Sequence, residues 1–255
     1  MNVTQKEASL DPEWPSPPPA RGLPVDDSFP SHHPALAKEM VGVSHGNLAR
    51  VRELLQQHPE LAKASWDWGY GDWETALGAA SHVGNRPIAE LLLEHGAAPT
   101  HFSAAMLGQL DVVKAFFAAT PGLQRMRGPH GLTLMVHAKM GGPQAAPVVA
   151  LLESLGDANQ PYRDEPLTAD ELASLEGRYA FGDRPRDSFV VSTQRNQLML
   201  ARAGAAARGL VHQGQFRFHA VGGPGVAIRF ERDGSRTTAL TVSDPDLVVR
   251  ARRQA

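Results

Sequence analysis

The chain of 255 residues contains no cysteine. Disulfides, thiolate metal sites and cysteine nucleophiles are therefore excluded. No apolar run approaches the roughly 18 residues that a membrane-spanning helix needs. The amino terminus, M-N-V-T-Q-K-E-A-S-L-D-P-E-W, has no apolar segment of the secretory kind. A cytoplasmic location is expected as the chain is written, or a periplasmic one if a leader was removed. There is no G-x-S-x-G, no P-loop, no dinucleotide fingerprint and no H-x-x-x-H or H-E-x-x-H pair. No catalytic residue, cofactor or metal is therefore expected, and an unrecognised hydrolase is kept only as a distant option.

Apolar residues make up 42% and charged residues 20%, a globular balance. The charges are unevenly placed. Residues 174–255 hold 13 arginines, no lysine and 7 acidic residues, a net of +6; residues 1–173 hold 12 basic and 20 acidic residues, a net of −8. This change of kind as well as sign puts a boundary near residue 170. Residues 1–30 carry P-E-W-P-S-P-P-P-A-R-G-L-P, too rich in proline for helix or sheet, and read as a flexible tail.

Residues 31–160 have a helical period in four units. Leu36 to Ser44 precede His45-Gly46-Asn47, and Leu48, Val51, Leu54 and Leu55 follow. Thr75 to His82 precede Gly84, with Ile88, Leu91 and Leu92 next. Ser103 to Leu107 precede Gly108, with Val112, Val113, Phe116 and Phe117 next. Gly131 to Ala138 precede Gly141-Gly142, with Val148, Val149, Leu151 and Leu152 next. Each short helix has an apolar stripe that it buries only by stacking on a neighbour. Ala79, Ala80, Ala104 and Ala105 permit close approach, and positive φ is expected at the turn glycines. The second unit, T-A-L-G-A-A-S-H-V-G-N-R-P-I-A-E-L-L-L-E-H-G-A, resembles an ankyrin repeat, a packing unit rather than a chemical one. The likeness covers about half the chain. Turn glycines 46, 84, 108 and 142 are 38, 24 and 34 residues apart, against a family period of about 33. A-L-G at 76–78 and L-M-V at 134–136 replace the usual P-L-H. The threonine and histidine hydrogen bonds of the motif are thus expected to be incomplete.

A junction spans 161–173, where Thr168-Ala-Asp-Glu171 has the form of a capping box. Beyond Leu175 the period becomes two. Eight strands are predicted at 177–181, 188–193, 197–201, 209–212, 215–219, 226–231, 236–242 and 247–250, with tight turns at Asn196, Gly214 and Asp233-Gly234. Gly222-Gly-Pro-Gly225 reads as a loop between strands. Over 174–253 this makes a small antiparallel barrel. L-E-G-R-Y, Q-L-M-L, Q-F-R-F, I-R-F-E-R-D-G and L-T-V, in that order, are similar to the lipocalin-like β-domains found after bacterial β-lactamase-like enzymes. No catalytic residues are known for that domain type, so the likeness brings none. The fold class expected is α+β multidomain: a short ankyrin solenoid followed by a barrel.

Residues 66–74, W-D-W-G-Y-G-D-W-E, hold three of the four tryptophans and fall in the long first gap, where an ankyrin array projects a finger. Trp66, Trp68, Tyr70, Asp72, Trp73 and Glu74, with His101, are the candidate partner-binding residues, as an interaction hot spot or an aromatic cage. The tryptophans could instead fold down over the first inter-repeat groove. Eleven histidines are many; His82, His95, His101, His130 and His137 are possible metal ligands, but no ligand spacing joins them and a structural role is expected. The expected function is non-catalytic binding of a protein partner by a monomer, with nucleic acid disfavoured because the barrel aromatics alternate inward. Small-ligand binding by the barrel is the alternative.

Overall fold

The computed structural model describes residues 27–245 and 247–254. Positions 1–26 of the proline-rich stretch lie outside the described residues. Residues 27–30 form a turn.

From Pro34 the helices come in pairs: α1 (Pro34–Val43) with α2 (Leu48–Gln57), α3 (Ala76–His82) with α4 (Arg86–Glu94), α5 (His101–Met106) with α6 (Leu110–Ala119), and α7 (Leu134–Met140) with α8 (Ala146–Leu155). α1, α3, α5 and α7 pack in series; α2 packs on α4, and α6 on α8. Alanines permit this. Ala79, Ala80, Ala104 and Ala105 are buried where helices of the inner row meet. Gly84 and Gly108 have φ of +74° and +72°, and a Cβ on either would lie 2.2 Å from a carbonyl oxygen, of Met140 and Gln144 respectively. Gly46 departs from expectation, since its φ is not positive.

Three threonines cap helices of the inner row. Thr75, Thr100 and Thr133 each accept from the backbone N–H three residues on, capping α3, α5 and α7. A cap needs only the hydroxyl and the orphan N–H, so the altered residues that follow do not disturb it.

The long first gap holds a one-turn 3-10 segment, Pro59–Lys63, and then a hairpin of β1 (Ser65–Asp67) and β2 (Trp73–Thr75). Its tip is 68–72. After the fourth pair the chain runs to α9 (Ala169–Leu175), whose capping box is complete: Thr168 accepts from the Glu171 N–H, and Glu171 accepts from the Thr168 N–H.

Eight strands follow: β3 (Gly177–Ala180), β4 (Ser188–Gln194), β5 (Gln197–Arg202), β6 (Arg208–His212), β7 (Arg217–Ala220), β8 (Gly223–Asp233), β9 (Arg236–Asp244) and β10 (Leu247–Arg253). Each pairs antiparallel with the next, and β10 pairs with β3, closing a barrel. Alternation from Val226 to Phe230 in β8 buries Val226, Ile228 and Phe230 and exposes Arg229. Arg195 and Asn196 both have positive φ, which matches a two-residue type I′ turn. At the turn predicted for Asp233-Gly234, Asp233 pairs with Arg236, so the turn is Gly234-Ser235, one residue later than Asp-Gly. Helices, hairpin and barrel all belong to the one compact unit Pro34–Ala255. Among the described residues, no helix is long and apolar enough to cross a membrane.

Candidate functional site

The hairpin inverts the usual alternation of a strand. Asp72 and Glu74 are buried, each 1% exposed, while Trp73 between them is 63% exposed. The period of two sends 72 and 74 to one side and 73 to the other. Burying two carboxylates is costly unless each is paired, so the interior face must supply partners.

It does so from four directions. The Trp68 indole N–H donates to Glu74 Oε2 at 2.7 Å. His82 Nε2, at the end of α3, lies 2.8 Å from Glu74 Oε1. His130 Nε2 is 3.4 Å from the same oxygen, and His45 Nε2 is 3.6 Å from Oε2. His45 and His82 also face each other, 3.1 Å apart at Nε2. Asp72 accepts the His130 backbone N–H at 2.8 Å and pairs with its Nδ1 at 2.7 Å. Those two bonds hold His130 at φ +58°, a conformation non-glycine residues rarely adopt.

Charge follows geometry. Burial alone would raise the Glu74 carboxyl, but His130 and His82 outweigh it and hold the group at about 2. Burial also opposes ionisation of Asp72, and His130 again lowers it. Asp72 first, and then Glu74, raise His130 to about 9. His137, buried on α7 with neither ring nitrogen bonded, is pushed by burial down to about 3.

The tip reaches the barrel. Arg208 on β6 contacts Asp72 Oδ2 at 2.8 Å and donates to the Trp68 carbonyl at 3.1 Å. Gly222 and Gly223 receive the tip: a Cβ there would lie 2.7 Å from the Asp72 carboxylate and 2.3 Å from the Tyr70 carbonyl oxygen. Trp68 and Tyr70 then wall a cavity of about 480 Å3 at the barrel mouth. Phe181, Phe189, Val226 and Val242 form its apolar side, with Arg202 and Arg208 at its edge.

The candidate residues thus divide. Trp66 and Trp68 pack partly buried on the helical core, as the packing reading of the tryptophans holds. Tyr70 packs against the barrel core. Asp72 and Glu74, expected at a partner surface, are instead buried and paired within the chain, because period two turns them inward. Trp73 alone stands clear. His101 sits against Phe102 and Phe116, with ring centroids 4.0 and 6.0 Å away, and does not join the cluster. His95 is exposed at the C-cap of α4.

Sequence reading missed His45 and Arg208. A signal for the first was present: His45 and His82 both stand just before a turn glycine of neighbouring units, so stacking sets them side by side. The reading against a metal rested on spacing along the chain; the donors converge from four separate elements. His45, Glu74, His82 and His130 present donor atoms within 4.8 Å of one another.

No protein-family model and no curated protein matches the chain. Among solved structures it is similar to one described as a crystal structure of SurE, at 22% identity and a TM-score of 0.27. The match covers 46% of this chain and 28% of that one, and so slight a likeness bears on neither fold nor function.

Proposed function

We propose that this is a small-molecule binding protein, with its site in the barrel mouth beneath the hairpin tip. The helix pairs are an ankyrin-type array that holds the hairpin, and the barrel is of lipocalin-like type. The observation that carries this reading is the apolar cavity of about 480 Å3, within the usual range for ligand sites. The two regions build it together, since Trp68 and Tyr70 come from the hairpin and the remaining wall from the barrel. Deeper in, Tyr179, Leu200, Ile228 and Leu240 fill the interior, which limits the ligand to the mouth. The fit is to a small apolar body with a hydrogen-bond acceptor, which Arg202 and Arg208 would meet.

The test is titration of the full chain with the dye 1-anilinonaphthalene-8-sulfonate, an apolar body bearing an anionic acceptor. Saturable one-to-one fluorescence enhancement is expected in the parent. Ala206→Trp fills the cavity from an exposed loop and should weaken binding at least about tenfold. Absence of saturable binding, or equal binding by the variant, would overturn the reading.

Partner binding keeps one observation in its favour, the exposed indole of Trp73. Its neighbours on the hairpin are engaged inside the chain, so Trp73 and the outer helical surface would have to carry it. Loss of a captured partner on Trp73→Ala would distinguish this second reading.

A further inference from the structure

We propose that His45, Glu74, His82 and His130 form a binding site for a divalent transition-metal ion of zinc-like preference. The site lies on the helical side of the hairpin and stands independently of the ligand cavity.

Its geometry is that of a coordination shell. Metal–ligand bonds to imidazole nitrogen and carboxylate oxygen are about 2.0–2.2 Å, so the edges of a tetrahedral shell are about 3.3–3.6 Å. The donor separations here are 2.8 Å (His82) and 3.4 Å (His130) to Glu74 Oε1, 3.6 Å from His45 to the other carboxylate oxygen, Oε2, and 3.1 Å between His45 and His82. They scatter around those edges.

Glu74 Oε1 is buried and makes no hydrogen bond, although two imidazole nitrogens stand 2.8 and 3.4 Å away. Those nitrogens lie off the hydrogen-bond direction, so the contacts are electrostatic. A buried carboxylate oxygen in that position lacks a directional partner, and a cation held by all four groups would provide one.

The outer contacts are those that prepare histidines to bind metal. His45 Nδ1 faces the Gly42 carbonyl at 3.0 Å, and His130 Nδ1 faces Asp72 at 2.7 Å. Each contact places the ring proton on Nδ1 and turns the Nε2 lone pair inward. The Trp68 N–H fixes the carboxylate of Glu74 in the same way. Three imidazoles and one carboxylate suit zinc and its first-row neighbours, whereas magnesium and calcium favour all-oxygen shells. His45 and His130 are partly exposed, which gives an ion a way in from solvent.

The experiment uses the full chain after chelator treatment and dialysis. Zn2+ is titrated by isothermal titration calorimetry, and Co2+ by its visible absorption, which reports coordination number. One equivalent of each should bind, and Co2+ should show the intense bands of a four-coordinate site. Glu74→Gln and His82→Ala should weaken Zn2+ binding at least about a hundredfold, and Asp72→Asn by about 10–100-fold, as loss of an outer partner does. His95→Ala, at an exposed position away from the cluster, should bind as the parent does. If burial at position 74 makes Glu74→Gln misfold, His45→Ala at the solvent edge carries the same expectation. No stoichiometric Zn2+ binding by the parent would overturn the proposal. So would parent-like affinity in the folded ligand variants.

Discussion

Between residues 34 and 155 the buried side chains include Asp72, Glu74, His137 and a series of alanines, whereas inside the barrel they include Tyr179, Phe189, Phe218 and Phe230. The helical region needs small residues because backbones approach each other, and it places its polar side chains where the hairpin can meet them. The barrel has a wide interior filled mainly by large apolar side chains. Two kinds of interior thus meet at one hairpin. The polar one is suited to holding a cation and the apolar one to holding a small molecule.

Changes of volume should break this contrast most strongly. Phe230→Ala is expected to cost about 3–5 kcal/mol by leaving a cavity in the barrel. In the helices the sensitive change runs the other way: Ala80→Leu overpacks a fully buried position and should cost about 1–3 kcal/mol. Chemical denaturation of both variants checks the pair. A mild Phe230→Ala alongside a harmless Ala80→Leu would remove the distinction.

Glycines sharpen it next. Gly84 and Gly234 both have positive φ, but a Cβ on Gly84 meets the Met140 carbonyl oxygen at 2.2 Å and one on Gly234 meets open space. Gly84→Ala should therefore cost clearly more than the roughly 1–2 kcal/mol of conformational strain expected for Gly234→Ala. Equal thermal midpoints for the two would mean that the array does not stack as tightly as described.

One pH effect belongs to the helical side. His137 has its ordinary value of 6.5 pushed by burial down to about 3. The unfolded chain therefore binds a proton that the folded chain refuses between those values. Stability from this group is complete above about pH 6.5 and falls as pH drops, by at most about 1.4 kcal/mol per unit. His137→Leu should flatten the acid limb of a stability-versus-pH curve. An unchanged slope would show that another group sets it.

The smallest effect concerns the link between the regions. Thr168→Ala removes the cap of α9 and should cost about 1 kcal/mol. A loss several times larger, read by thermal unfolding, would mean that α9 does more than join the helices to the barrel.

Much of the fold was legible because local signals carried it. Apolar stripes gave the helix pairs, Thr168 and Glu171 gave α9, and alternation at 226, 228 and 230 gave the face of β8. Closure of the barrel was less directly visible, since pairing of β10 with β3 joins residues more than seventy positions apart. The candidate site was legible in part. The aromatic hairpin stood out by composition, but the partners that Asp72 and Glu74 meet sit on other elements. Nothing local to position 74 announces His45 or His130, and nothing local to position 72 announces Arg208. Only the stacking of the helix pairs and the seating of the tip bring them together.

That seating has a consequence for how such a chain can be cut or recombined. Gly222, Gly223 and Arg208 on the barrel are fitted to the shape and charge of a tip that the array provides. A different barrel grafted behind residue 160 would meet the tip with side chains where glycines now stand, and would leave Asp72 without its arginine. The array grafted onto another protein would present the same tip to nothing. The two parts look separable in sequence but are keyed to each other, so exchange of either half requires exchange of the key.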